Sequence, residues 1–144
     1  METFHRDLQE GNLIEQKHLK IIQQKYPDAY KIQGYCKEWD IFIPSKNFGI
    51  EIKSDKMSQL TGNIVVEINF NGKPSALSTT KSKYWIFDTG IKTLIVLVDD
   101  LKKLVKQFQT RRFTAKGDTK EKEAYLIKQR FIETISTSNY NDII

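Results

Sequence analysis

The chain has 144 residues, enough for one domain with a substantial core and too few for a second module of any size. Its 23 lysines and arginines exceed 18 aspartates and glutamates for a net charge of +5, while a single cysteine, Cys36, excludes an intrachain disulfide and a cysteine-based zinc site. No signal peptide, repeat, low-complexity segment or apolar run of transmembrane length stands out, so a soluble intracellular protein without membrane contact is expected.

A first helix is expected over residues 12–26, with Asn12 as its cap and Pro27 ending it. Glu15, Leu19, Ile22 and Tyr26 fall on one stripe at helical spacing, which leaves Glu15 as an acid on the rim of an inward-facing surface. The histidines, His5 and His18, show no metal-ligand spacing and read as surface residues. Residues 29–32 form a leading strand or turn.

Residues 39–54 follow as two apolar runs split by the turn-rich Pro44-Ser45-Lys46-Asn47, the pattern of a β-hairpin. A turn centred between Ser45 and Lys46 sets Asp40 opposite Glu51, with Lys53 two residues on. Alternation puts Ile41, Ile43, Phe48, Ile50 and Ile52 on one face and Asp40, Phe42, Glu51 and Lys53 on the other. Carboxylates facing each other across a strand pair repel unless a positive charge joins them. A divalent cation with oxygen ligands and retained waters answers that need, and a neighbouring lysine can orient a water or stabilise charge growing on a phosphate.

The arrangement Asp40, then Glu51, Ile52 and Lys53, resembles the PD-(D/E)xK nuclease superfamily, whose motif is a strand aspartate, a spacer, and Glu or Asp, an apolar residue and Lys. Trp39 stands where that motif has proline. The resemblance implies a restriction-endonuclease-like core in which Asp40, Glu51 and the backbone carbonyl of Ile52 bind Mg2+, with Mn2+ as a substitute, and Lys53 assists the attacking water. It also implies a further acid from the preceding helix, the place Glu15 holds; helical position alone equally allows a boundary residue paired with a lysine.

Beyond the hairpin, residues 54–63 read as a polar loop at the mouth of the site, and 64–70 alternate as a third antiparallel strand. Glu67 on that strand either points toward the acids or, as strand glutamates more often do, faces solvent. Asn71-Gly72 makes a turn, residues 73–80 form a loop ending in helix caps, and 81–87 are expected as a short helix whose start, with Lys81 and Lys83, holds a phosphate. Tyr84 and Trp85 suit the core. The stretch from Thr61-Gly62-Asn63 through Glu67 to Ser78-Thr79-Thr80-Lys81 and Tyr84-Trp85 also resembles small phage-type members of the same superfamily.

The apolar run 93–98 is expected as a central strand covered on both faces, followed by a helix capped by Asp99 with Leu101, Leu104, Val105 and Phe108 inward. Residues 111–118 read as a basic loop, 123–127 as a last strand, then a short helix and a fraying polar tail. Residues 101–130 hold ten basic against three acidic side chains, an asymmetry that suggests a polyanionic partner.

The expected fold is therefore α/β, a mixed central β-sheet flanked by helices in a single domain over 1–144. The expected activity is a Mg2+-dependent endonuclease on DNA, with Arg111, Arg112 and Lys116, then Lys81 and Lys83, contacting backbone phosphates. Size and basicity resemble Holliday junction resolvases, which implies a homodimer acting on branched recombination or replication intermediates. The alternative is a catalytically silent nucleic-acid-binding module on the same fold; RNA as substrate is a third possibility.

Overall fold

The computed structural model describes residues 2–34, 38–114 and 119–144, with side chains from residue 9 onward. Cys36, Lys116 and the side chain of His5 lie outside the described residues. Helix α1 spans Glu2–Lys25 and starts well before the expected cap. Gly11 sits inside it at a cost of about 1 kcal/mol relative to alanine, and Asn12 caps nothing: its Oδ1 accepts from Lys31 Nζ at 2.9 Å.

Strands β1 (Tyr30–Lys31), β2 (Ile41–Ile43) and β3 (Phe48–Ser54) follow in antiparallel order, with Ile41 opposite Ile50, Phe42 opposite Gly49 and Ile43 opposite Phe48. The hairpin thus has the register its turn chemistry implies. Gly49 is required here, because a Cβ built on it would lie 2.5 Å from the Trp39 side chain.

The short helix α2 (Ser58–Thr61), closed by Gly62 at φ 73°, replaces part of the expected loop. Strand β4 (Asn63–Phe70) is a strand as expected, but it does not extend the hairpin. It belongs to a separate four-stranded sheet ordered β5-β4-β9-β8, with β5 at Lys73–Pro74, β8 at Arg111–Thr114 and β9 at Glu121–Lys128. Between them come β6 (Tyr84–Asp88), β7 (Thr93–Leu97) and helix α3 (Val98–Val105). Helix α4 (Gln129–Glu133), β10 (Ser136–Thr137) and a 3-10 turn at Tyr140–Asp142 complete the described elements.

Four further expectations are corrected. Residues 84–88 form a strand rather than a helix: Tyr, Trp, Ile and Phe favour extended backbone, and a short apolar run carries no period that separates the two. Residues 111–114 are an edge strand, not a loop, and the cap of α3 is Leu97 rather than Asp99. The tail does not fray: Tyr26 Oη donates to the carbonyl of Ile143 at 2.8 Å, and Lys25 Nζ donates to those of Asn141 and Ile143 at 2.6 Å each.

The molecule is mixed α/β. Its main sheet has six strands ordered β1-β2-β3-β6-β7-β10, antiparallel except where β3 runs parallel to β6. Leu19, Ile22 and Tyr26 of α1 cover one face of it through Ile41, Ile43, Ile50, Ile52 and Ile86. On the other face Trp85, Phe87, Leu94 and Val96 meet Ile64, Val66 and Ile127 of the second sheet, together with Leu101 of α3 and Ile132 of α4. Two sheets and a helix therefore make three layers, and β6, buried on both faces, lies at their centre. Among the described residues no helix is long and apolar enough to cross a membrane.

Candidate active site

Beyond the last pair of the hairpin ladder, the N–H of Asp40 still donates to the carbonyl of Ile50 at 3.0 Å, so Asp40 stands at a bend abreast of Glu51. The N–H of Ile52 then donates to Oδ2 of Asp40 at 2.7 Å. N–H and C=O of one strand residue point to the same edge, so the Ile52 carbonyl is directed to the Asp40 side as well.

Glu51 and Lys53 project from β3 on the face opposite α1. Glu51 is only 6% exposed, and its Oε2 lies 2.9 Å from Lys53 Nζ. That contact is an ion pair without hydrogen-bond alignment, which leaves Oε2 with no hydrogen-bond partner among the described residues. Lys53 is held in turn by the ring of Trp85, 5.0 Å below its ammonium.

Glu15 reaches the same place from α1 and pairs with Lys31 at 3.2 Å, so the lysine partner and the position beside the acids are both realised. Glu67 arrives from β4, accepting from Ser75 Oγ at 2.7 Å. All of them, with Ile52, line one cleft of about 740 Å³ between the end of the hairpin, α1 and the second sheet. Sequence alone did not point to Lys31 or Ser75 as parts of this cleft, because only the folded chain brings them there.

The carboxyls are under electrostatic pressure. Burial, with the negative charges of Glu15 and Glu51 added, pushes Asp40 from 3.8 up to about 7, against the Ile52 N–H and Lys53. Burial also raises Glu51, with Glu67 adding to it and Lys53 opposing. A pair of crowded acids, with a buried Glu51 oxygen that meets the Lys53 ammonium but no aligned hydrogen-bond donor, fits a divalent cation, which would relieve both. Among the described residues no three acid or imidazole side chains are close enough to ligate one ion together. An ion here would rest on Asp40, Glu51, the Ile52 carbonyl and water, a donor set suited to magnesium.

The basic candidates do not converge on the cleft. Lys81 is exposed beside Glu38, whose carbonyl accepts from its N–H at 3.2 Å. Lys83 is a clip on the chain terminus: its Nζ donates to the Ile144 carbonyl at 2.7 Å and lies 4.8 Å from the Phe48 ring centre. The expected helix start at 81–87 is absent, and with it a helix-dipole phosphate site there. Arg111 and Arg112 lie exposed on β8, Arg112 Nε standing 4.0 Å from Glu123.

His18 is not a surface residue. It is fully buried, its Nε2 2.8 Å from Asp88 Oδ2 and its Nδ1 2.5 Å from Tyr140 Oη. Lys17 Nζ donates to the same Asp88 oxygen at 3.1 Å. Burial is the largest single effect on Asp88 and opposes its charge, but the N–H of Gly90 with His18 and Lys17 outweighs it and holds the carboxyl low. Burial likewise depresses His18 below 6.5. This neutral imidazole ties α1, β6 and the tail together.

No protein-family model, curated protein or solved structure matches this chain.

Proposed function

We propose that the chain is a metal-dependent endonuclease that hydrolyses DNA phosphodiester bonds, built on a restriction-endonuclease-like core. The observation that carries this reading is the meeting of Asp40, Glu51 and Lys53 in one cleft, with Ile52 bonded to Asp40 and both acids pushed toward their neutral forms. Acids held that way gain most from a cation and a phosphate arriving together.

Bound Mg2+, or Mn2+ in its place, would supply a polarised phosphoryl oxygen and an activated water. Asp40, fixed by the Ile52 N–H, and Glu51, fixed by β3, would hold the ion with the Ile52 carbonyl. Glu15 keeps Lys31 turned into the cleft. Lys53 has the central part: once Glu51 is engaged, its ammonium is freed to orient the attacking water and to meet the negative charge that grows on the phosphate oxygens. Asp40, at about 7 in the ion-free cleft, would have to release its proton to hold the ion, so ion binding here would strengthen as pH rises through that value.

The exposed arginines of β8, Arg111 and Arg112, would grip phosphates without reading bases, giving salt-dependent and weakly specific binding. Branched recombination or replication intermediates suit such binding, and two copies acting as a symmetric dimer would cut opposing strands. An intracellular enzyme is consistent with the lone cysteine.

The test offers a four-way junction, a linear duplex, a single strand and an RNA hairpin side by side with magnesium. Preferred cutting of the junction at paired sites supports this reading. Cutting of RNA hairpins alone, or retardation without cutting, replaces it with a ribonuclease or with a silent binding module.

A further inference from the structure

We infer that Glu67, carried by the second sheet, is a further cation-binding residue of the cleft, its carboxylate holding the water shell of the divalent ion taken by Asp40 and Glu51. This rests on the cation reading above and adds the wall opposite the hairpin to it.

Three local departures from regular structure meet at Glu67. The pairing of β4 with β9 shifts register between Glu67 and Asn69, and such a bulge re-aims the side chains beside it. The Ser75 hydroxyl fixes Oε2 of Glu67 at 2.7 Å. The next residue, Ala76, has φ 45°, a conformation that residues with a Cβ rarely adopt, and it lines the cleft too. An ordinary solvent-facing strand glutamate needs none of these.

What Glu67 faces explains the effort. Glu51, buried across the same cleft, has an oxygen without a hydrogen-bond partner among the described residues. Among the described residues, the ionisable ones lining the cleft are four acids, Glu15, Asp40, Glu51 and Glu67, against Lys31 and Lys53. Lys31 is engaged by Glu15 and Lys53 by Glu51, while Lys122 reaches Glu67 only at 3.9 Å. Fixing a fourth acid here is unfavourable without a cation.

The contact is through water rather than direct. Among the described residues no three acids approach closely enough to ligate one ion together, and magnesium keeps several of its waters. Carboxylates that hold such waters set affinity by about 10- to 100-fold.

The experiment titrates the full chain with Mn2+ without nucleic acid, reading free Mn2+ by electron paramagnetic resonance. Glu67→Gln should weaken binding by about 10- to 100-fold and Ser75→Ala by a smaller factor, while in EDTA Glu67→Gln melts no lower than wild type because a repelling charge is gone. Wild-type affinity in Glu67→Gln, beside lost binding in Glu51→Gln, overturns the role of Glu67 and leaves the Asp40–Glu51 site standing. A wild-type chain that binds no Mn2+ overturns both. If Glu67→Gln does not fold, Ser75→Ala decides, and unchanged affinity there overturns the proposal.

Discussion

The backbone N–H of Ile52 donates to Oδ2 of Asp40 at 2.7 Å, so the residue between Glu51 and Lys53 holds the other acid of the cleft in place. Even with that bond, burial raises the Asp40 carboxyl to about 7.

A raised acid binds its proton more tightly folded than unfolded, so its contribution to stability is fullest below the unfolded value of 3.8 and is lost as pH rises to about 7. At about 1.4 kcal/mol per pKa unit, that loss reaches at most about 4 kcal/mol. Asp40→Asn keeps an oxygen for Ile52 and removes the charge. Urea unfolding in EDTA should show the variant gaining on wild type between pH 4 and pH 8. His18, depressed by burial, acts oppositely, losing stability as pH falls through 6.5, but it is present in both proteins and cancels. A difference that does not change with pH would contradict the strain at Asp40.

Lys53 is the sole cation within ion-pair distance of Glu51 among the described residues. Lys53→Met should cost about 1–3 kcal/mol at pH 8, because it leaves a buried carboxylate unpaired. Glu51→Gln added to it should restore most of that loss, a coupling readable in a double-mutant cycle. Additive effects would mean that the pair carries no energy.

Ala76 at φ 45° stores strain beside the cleft. The left-handed conformation costs an L residue about 1–2 kcal/mol, partly offset by the greater flexibility of glycine when unfolded. Ala76→Gly should therefore stabilise the chain by about 0.5–1 kcal/mol in denaturant titration, and a loss of stability would show that the backbone there is unstrained.

The hairpin was legible because its information is local: a turn of Pro, Ser, Lys and Asn between alternating runs fixes register, and register alone sets Asp40 beside Glu51. Alternation in 64–70 revealed a strand but not its partner, which is β9, more than fifty residues away. Residues 84–87 are too short and too apolar to show a period, so the central strand looked like a helix. His18 looked like surface because the side chain that covers it, Tyr140, is 122 residues distant. The acids of the cleft were found through the hairpin; Lys31, Ser75 and the aim of Glu67 depended on layers that no local pattern encodes.

Arg111 and Arg112 share the exposed edge strand, whereas Lys83 is bound to the chain terminus. Replacing both arginines by glutamine should lower the slope of log K against log salt for DNA binding by about 1–2 units. Lys83→Gln should leave that slope unchanged and lower the melting temperature. An unaltered slope in the double variant would remove β8 from the interface.

Nicking of supercoiled DNA by the purified chain, with magnesium and with EDTA, tests the central claim most directly when Glu51→Gln and Lys53→Met run beside wild type. The account predicts magnesium-dependent nicking by wild type that falls by about 100-fold or more in either variant, with DNA retardation retained. Wild-type protein that retards DNA yet leaves it intact with both magnesium and manganese would contradict it.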